Sequence, residues 1–293
     1  MAFKRIKENE KYKLSGTKID ALRSIFELKK WPIEQVWEKS DFDRFCDMLK
    51  CLTDEEQDLM LLLIKDFIKV DIGEYMQRFY SIFKEFMNSK YIKGKKRLFI
   101  LPLIDPVDEG KSKSSTTLFY LIKSQLINFK DEFKNIKISY YDSAKMLTED
   151  ITFKETDVIC LVDDFIGTGD TACNAVNDLL EKIQFQSIIG PKNITVISLV
   201  SQYAGFEKLI SIIPLENIFT TEPLNRGISD KYADYENKLL LMCEIERRMK
   251  KVNKDFSCGY NQSEALVKMA RTPNNTFPIF WLQNKVIPVP FPR

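Results

Sequence analysis

The sequence predicts an α/β fold, a mostly parallel sheet with helices on both faces, preceded by a helical N-terminal extension. From about residue 93 onward, short apolar runs alternate with amphipathic segments, which is typical of a parallel sheet with crossover helices. Before that point, apolar residues recur at helical spacing. We therefore predict two regions: a helical region over residues 1–92, and an α/β domain with a C-terminal extension over residues 93–293.

The N-terminal region contains four predicted helices. Apolar residues from Ile19 to Leu28 predict the first, and the others are predicted over Phe42–Leu52, Glu55–Val70 and Tyr75–Met87. No motif in this region carries chemistry. It is therefore interpreted as a helical layer that binds another protein or a second copy of the chain.

The α/β region contains five predicted strands separated mostly by helices. Ligands of such sheets bind beyond the carboxyl ends of the strands. The strands are predicted over Leu98–Ile104, Ile136–Tyr141, Val158–Val162, Ile194–Val200 and Asn217–Thr221, and the main helices over Thr116–Phe129, Ala172–Ile183 and Tyr232–Val252.

Composition narrows the class of protein. The chain has 293 residues, 44% hydrophobic and 29% charged, which is an ordinary globular balance. A net charge of +2 gives no indication of direct nucleic-acid binding, and the short apolar runs exclude a membrane span. Six cysteines without a CxxC pair argue against a zinc site, and with no secretory signal they predict a cytoplasmic protein.

The chain has 0 histidines. This excludes His-based triads, His metal ligands and imidazole proton shuttles. Any catalysis must rest on carboxylates, Lys, Arg, hydroxyls and backbone donors, so positioning and charge stabilisation would carry it.

The motif with the most chemistry follows the central strand. Asp163 and Asp164 stand where the apolar run Val158–Val162 ends, and the loop Gly167–Thr171 leads into a helix. The N–H groups and positive dipole end of a helix N-terminus suit a phosphate. The alternative, a strand-turn-helix with an acidic corner, is weaker because adjacent acids have no packing reason to end a buried strand.

This stretch resembles the phosphoribosyl-pyrophosphate motif of the type I phosphoribosyltransferases. The resemblance implies a type I phosphoribosyltransferase-like core, in which Asp163 and Asp164 hold the ribose 2′- and 3′-hydroxyls and also Mg²⁺. The 5′-phosphate would be held by the loop, to which we assign Gly167, Thr168, Gly169, Asp170 and Thr171.

Two further loops are candidates for the site. In this family the loop after the first core strand wraps the pyrophosphate, and the matching positions are Lys111, Lys113, Ser114 and Ser115. We expect the two lysines to act in catalysis with the acid pair; a solvated loop with an N-cap serine stays open. Arg226, after the fifth strand, is a candidate contact to a phosphate or base, with a surface turn as its alternative. The role of the Asn274-Asn275 loop is open.

The wider arrangement resembles the branch of phosphoribosyltransferase-like proteins associated with bacterial anti-phage systems, including retron-type loci. Motifs over residues 10–281 carry this resemblance. It implies an effector that binds phosphoribosyl pyrophosphate or a nucleotide with Mg²⁺, has protein partners or self-associates through its N-terminal helices, and makes or breaks a bond at the anomeric carbon. The alternative is a non-catalytic subunit that senses a nucleotide or phosphoribosyl pyrophosphate in the same pocket.

Overall fold

A computed structural model describes residues 12–35, 39–111, 113–184, 188–221 and 223–293. It confirms the predicted α/β class, with a parallel sheet, helices on both of its faces, and helices in the N-terminal region. Two parts of the predicted regions lie outside the described residues. They are residues 1–11 of the helical region and Ser112, which belongs to the loop that carries Lys111 and Lys113, called the lysine loop below.

Contacts divide the chain into two compact units. One unit comprises residues 1–69 and 225–293, and the other comprises residues 70–224. This division differs from the predicted boundary between residues 92 and 93. The fourth helix of the chain, Tyr75–Asn88, packs against the sheet and therefore belongs to the sheet unit.

The helices that the sequence predicted lie within a few residues of their predicted bounds, whereas the helices Ala144–Asp150 and Tyr203–Ile210 were not predicted. In chain order the α-helices of the described residues are α1 (Gly16–Lys29), α2 (Asp41–Leu49), α3 (Asp54–Asp66), α4 (Tyr75–Asn88), α5 (Ser114–Ser124), α6 (Ala144–Asp150), α7 (Asp170–Ile183), α8 (Tyr203–Ile210) and α9 (Tyr235–Met249).

The strands form two sheets. In chain order they are β1 (Ile68–Lys69), β2 (Arg97–Pro102), β3 (Lys137–Tyr140), β4 (Asp157–Ile166), β5 (Ile194–Gln202), β6 (Ile218–Thr220), β7 (Pro223–Leu224) and β8 (Val267–Lys268). In the sheet unit the order is β3-β2-β4-β5-β6, with β7 also paired to β5, and all pairings are parallel. β1 and β8 pair in the other unit.

The sheet is covered on both faces, which explains its continuous apolar strands. Helices α4 and α5 contact the strands and each other on one face, whereas α6, α7 and α8 share an apolar cluster with the strands on the other. Ile159 and Leu161 of β4 belong to that cluster, and their neighbours Val158 and Cys160 are fully buried as well. A strand buried on both faces reads as an unbroken apolar run.

The other unit has its own core. Aromatic side chains of the first helices meet those of the C-terminal segment, as in the edge-to-face pairs of Phe45 with Phe280 and Phe291. Thr53 caps α3 through the Glu56 backbone N–H, and the Glu56 carboxylate accepts from Thr53 N in return. This capping box fixes where the helix begins.

No helix in the described part of the chain is long and apolar enough to cross a membrane.

Candidate functional site

The candidate site lies at the carboxyl edge of the sheet, where the strand order reverses. The chain passes from β2 to β3 on one side, and then returns to place β4 on the other side of β2. The Leu103 N–H donates to the Val162 carbonyl at 2.9 Å as β2 ends, whereas β4 continues against β5 as far as Ile166. Ligands of open α/β sheets bind at such a switch point.

Asp163 and Asp164 lie inside β4, not after it. The predicted strand ended at Val162, but pairing of Asp163 with Ser198 and of Ile166 with Ser201 extends it by four residues, through Ile166. The two acids thus stand on a strand held along one side by β5. Successive side chains of a strand leave it in opposite directions, yet the two carboxyl groups remain close enough to interact through their side chains.

The acid pair is buried. Asp163 is 8% exposed and Asp164 is 2% exposed, and the Asp164 N–H donates to Asp163 Oδ1 at 2.8 Å. Burial, with the charge of the neighbouring Asp164, raises the pKa of Asp163 well above its ordinary range. The pair therefore favours binding of groups that donate hydrogen bonds or carry positive charge.

A tyrosine that sequence reasoning missed completes the acid pair. The Tyr75 hydroxyl, on the first residue of α4, donates to Asp164 Oδ2 at 2.7 Å, and Tyr75 is fully buried. The expectation that the N-terminal helices carry no chemistry therefore needs correction at α4. No local pattern indicates this contact, because 89 residues separate the partners.

The predicted phosphate loop connects β4 to α7. Gly169 occupies the N-cap position of α7 with φ +83°, a left-handed conformation that favours glycine. The Thr168 hydroxyl donates to Asp170 Oδ2 at 2.9 Å, and the Lys208 ammonium of α8 pairs with the other Asp170 oxygen. The loop thus meets the N-terminus of α7, with a lysine beside it that sequence reasoning also missed.

The loop packs against the backbone of α8. A Cβ on Gly205 would lie 2.3 Å from the Gly167 carbonyl oxygen and 3.0 Å from Gly169 N. A Cβ on Gly169 would in turn lie 2.9 Å from the Gly205 Cα. These separations require glycine at both positions, and nothing in the sequence around Gly205 indicated this contact.

Alanine at Gly205 is expected to displace the loop. The methyl group cannot be accommodated 2.3 Å from a backbone oxygen, so either the loop or α8 must move. We expect the free energy of unfolding in urea to fall by roughly 1–3 kcal/mol, as for other overpacked sites. We also expect affinity for inorganic phosphate, measured by calorimetry, to fall about tenfold or more, which corresponds to about 1.4 kcal/mol.

The matched control is Gly190→Ala. A Cβ on Gly190 meets no heavy atom within 4 Å, and its φ of −162° suits any residue. Equal phosphate affinity in the two variants would contradict the packing argument.

In the lysine loop after β2, both lysines form ion pairs with Asp108 of the same loop. Lys111 Nζ and Lys113 Nζ lie 2.8 Å and 2.6 Å from the two oxygens of Asp108. Hydrogen bonds from both lysines lower the pKa of Asp108. Ser114, exposed, and Ser115, buried, form the first turn of α5. The assignment of these residues to pyrophosphate stays a prediction.

A carboxylate also connects this loop to α7. Asp105 Oδ2 accepts from the Asn174 side-chain amide at 2.7 Å, and Asp105 Oδ1 accepts from the Val107 N–H at 3.1 Å. Because Asn174 lies just after the first turn of α7, the contact joins the loop after β2 to the N-terminal part of α7. This hydrogen bond holds the start of the loop after β2 against α7.

Two other candidates lie in the unit formed by residues 1–69 and 225–293. Arg226 donates from Nε to Asp230 at 3.1 Å, and this hydrogen bond raises the pKa of Arg226. Asn275 is buried, and its side-chain amide donates to Ser263 Oγ at 3.3 Å. The Ser263 hydroxyl in turn donates to the backbone carbonyl of Asn275 at 2.9 Å. Asn275 thus has a structural role in its loop, and a ligand contact by Arg226 stays a prediction.

The described residues contain no group of three or more acids, cysteines or histidines that could hold a metal ion by themselves. Asp163 and Asp164 still fit Mg²⁺, since this ion binds through one or two carboxylates together with substrate phosphates. Burial and the neighbouring Asp164 charge raise the pKa of Asp163, and a cation bound by the pair would counter both effects.

Comparisons with known proteins agree with the motif. The PRTase-CE family profile matches residues 42–292. Among solved structures, the chain is similar to the APRTase from Giardia lamblia complexed with 9-deazaadenine, at 14% identity and a TM-score of 0.33, covering 52% of this chain and 80% of that one. No curated protein matches the sequence. Because the profile spans most of the chain and the motif resemblance points the same way, the protein belongs to the PRTase-CE family and is a type I phosphoribosyltransferase-like protein.

Proposed function

We propose that the protein binds the ribose 5-phosphate part of phosphoribosyl pyrophosphate or of a nucleotide, and makes or breaks a bond at the anomeric carbon. The observation that carries this proposal is the buried pair Asp163 and Asp164 at the switch point, followed by a loop that ends at the N-terminus of α7. Family membership supports the same class of ligand.

The acid pair suits a sugar with adjacent hydroxyls. Each carboxylate accepts hydrogen bonds, and a bond to a charged group contributes roughly 1.5–3 kcal/mol. In a buried site such bonds select strongly for a ligand that can donate them, because a buried acceptor without a donor is costly. Two adjacent acids therefore favour a ribose with both hydroxyls present.

The loop suits the 5′-phosphate. The N-terminus of α7 follows the loop directly, with Gly169 at its N-cap, and the start of a helix is a favourable place for an anion. Asp170 brings a negative charge here, but its carboxylate is engaged by Thr168 and Lys208. Lys208 therefore offsets the charge of Asp170 and leaves the phosphate-binding character of the helix end intact.

Magnesium is part of the proposal. Asp163 and Asp164 would hold it together with phosphate oxygens of the ligand, and the ion would shield the pyrophosphate charge as the bond to the sugar breaks. The protein's own part is to orient the ribose through the two acids and to hold the phosphate at α7.

One observation favours the alternative, a subunit that senses a nucleotide or phosphoribosyl pyrophosphate without turnover. Lys111 and Lys113, the residues expected to meet the leaving group, are both paired with Asp108. An enzyme needs cations that can turn to a pyrophosphate, whereas a sensor does not. The two functions share the ribose and phosphate site and differ in this loop.

Substitutions in the loop separate the two functions. Lys111→Ala with Lys113→Ala should reduce the rate of pyrophosphate release, or of glycosidic-bond cleavage, more than it weakens ribose 5-phosphate binding. Asp108→Asn is the matched variant, because it keeps both lysines and releases them. It should strengthen pyrophosphate binding by up to about 1 kcal/mol, or about fivefold, as expected for exposed ion pairs.

Product analysis decides between them. The assay supplies the purified protein with Mg²⁺ and a panel of nucleotides, or phosphoribosyl pyrophosphate with bases, and measures released pyrophosphate, base or ribose 5-phosphate. Turnover that the double lysine variant lacks supports the enzyme. Ligand binding without any product, together with a change in affinity for a partner protein, would identify a sensor.

A thermal-shift screen identifies the ligand. A compound present at 100 times its dissociation constant should stabilise the fold by about 2.7 kcal/mol. The screen compares phosphoribosyl pyrophosphate and nucleoside monophosphates, each with and without Mg²⁺. If none of these compounds raised the unfolding temperature, the proposed ligand class would be wrong.

The biological setting is also proposed. The motif resemblance supports a cytoplasmic effector of bacterial anti-phage defence that acts in a complex or as a homo-oligomer through its N-terminal helices. Light scattering over a range of concentrations tests self-association, and a constant monomer mass would argue against the homo-oligomer. In a defence locus, loss of phage protection on replacing Asp163 and Asp164 would support the effector role.

A further inference from the structure

Tyr75, the first residue of helix α4, contacts one of the two buried acids. The Tyr75 side chain is fully buried, and its hydroxyl donates to Asp164 Oδ2 at 2.7 Å. A buried O–H beside a buried carboxylate forms a charge-assisted hydrogen bond, which is short and about twice as strong as a neutral one. This bond connects the start of α4 to the acid pair.

Helix α4 holds Tyr75 in a fixed place. Its rings at Phe79 and Phe83 stack with centroids 5.3 Å apart, and Phe83 meets Phe133 edge-to-face at 5.1 Å. Near its C-terminal end, Phe86 contacts Phe219 of β6 at 5.3 Å. The helix is therefore anchored to the sheet and to the segment after α5, which leaves Tyr75 little freedom.

The hydrogen bonds give each acid a defined orientation. Asp163 Oδ1 accepts from the Asp164 N–H, and Asp164 Oδ2 accepts from Tyr75. With one oxygen fixed, a carboxylate cannot rotate about its Cβ–Cγ bond, so its second oxygen takes a single position.

We propose that Tyr75 is a positioning residue for ribose recognition, and that it orients Asp164 so that its second oxygen accepts from the ribose 2-hydroxyl. This inference rests on the proposed function, since it assigns a third residue to the same site. It makes α4 a part of the ligand-binding machinery.

The test compares two sugars in two variants. Calorimetry measures the affinity of ribose 5-phosphate and of 2-deoxyribose 5-phosphate for the wild type, for Tyr75→Phe and for Tyr80→Phe. Tyr80 lies on the same helix, where its ring is within 4.7 Å of Lys84 Nζ, so its variant makes the same chemical change away from the acids. Thermal unfolding confirms that each variant is folded.

We expect the wild type and Tyr80→Phe to bind ribose 5-phosphate about tenfold or more tightly than 2-deoxyribose 5-phosphate. This ratio is what one hydrogen bond to a charged group contributes. In Tyr75→Phe the preference should fall to about threefold or less, with the affinity for the deoxy sugar unchanged within about twofold. A purely structural role would lower both affinities together and keep the preference. Asp164→Asn should lose the preference as well, and Tyr75→Phe added to it should have no further effect.

The outcomes separate the inference from the proposed function. A preference retained in Tyr75→Phe would overturn the role of Tyr75 alone, and so would a higher ribose affinity, because Tyr75 would then occlude Asp164. A wild type that binds neither sugar, or does not discriminate between them, would overturn the proposed function and this inference with it. If Tyr75→Phe did not fold, ribose preference retained in Asp164→Asn would still overturn the inference.

Discussion

Replacing both acids of the pair, Asp163→Asn with Asp164→Asn, is expected to weaken ribose 5-phosphate binding by roughly 3–6 kcal/mol. The estimate is the sum of two hydrogen bonds to charged groups at roughly 1.5–3 kcal/mol each. It corresponds to a loss of affinity of about a hundredfold or more, measurable by calorimetry. The two acids are adjacent on one strand and are joined by a hydrogen bond from the Asp164 N–H to Asp163 Oδ1. The losses of binding free energy in the two single variants therefore need not sum to the loss in the double variant.

The same variant is expected to remain folded. Burial and the neighbouring charge raise the pKa of Asp163, so the folded state carries an electrostatic cost there that asparagine removes. The asparagine carbonyl at position 164 can still accept from Tyr75. A thermal unfolding midpoint at or above that of the wild type would show that the lost affinity comes from the site and not from unfolding.

The control removes two exposed acids from the same unit. Asp142 and Glu149 have side chains 62% and 63% exposed, and each is paired with a partly exposed lysine. Asp142→Asn with Glu149→Gln changes the net charge as the site variant does, and should leave the affinity within about twofold, as screened surface charges do. If the site variant bound ribose 5-phosphate as well as this control, the assignment of the acid pair would be wrong.

Alanine at Asp157 is expected to give the largest loss of stability. Asp157, fully buried at the start of β4, accepts from Arg97 Nε at 2.9 Å and from the Lys154 N–H at 2.7 Å. Removing one partner of a buried ion pair costs 3–5 kcal/mol, because the other charge is left without compensation. The Arg97 side chain is 24% exposed and regains some solvent, so we expect about 3 kcal/mol, the low end of that range, in urea unfolding.

Asp142→Ala is the control for stability. Asp142 pairs with Lys123 at 3.0 Å on the surface, and exposed ion pairs contribute about 0–1 kcal/mol. A loss at Asp157 no larger than the loss at Asp142 would contradict the view that the Arg97–Asp157 pair fixes the register of β2 against β4. This pair lies at the amino edge of the sheet, so its loss tests the fold separately from the site.

The fold class followed from the sequence because its signals are local. The run from Val158 to Val162 is apolar on both faces, and this alone indicates a parallel strand between two layers of helices. The end of that strand was not predictable, because Asp163 and Asp164 are poor strand formers. Their place in β4 depends on pairing with Ser198 and its neighbours, a tertiary contact that propensity does not contain.

The candidate site was predictable where its residues are contiguous, as in the acids and the loop that follows them. Tyr75, Gly205 and Lys208 could not be predicted, because each reaches the site through the fold and none belongs to a local motif. The lysine loop shows a different limit. Its composition indicated two cations near the ligand, but Asp108, three residues before Lys111, engages both of them.

The most direct test of the central claim is a crystal structure of the protein with ribose 5-phosphate. We expect the 2- and 3-hydroxyl oxygens to lie within about 2.5–3.2 Å of carboxylate oxygens of Asp163 and Asp164. We also expect the phosphate to lie against the N–H groups of residues 168–171 at the start of α7. A sugar bound elsewhere, or a phosphate held away from that loop while the acid pair keeps no contact with the hydroxyls, would contradict that claim.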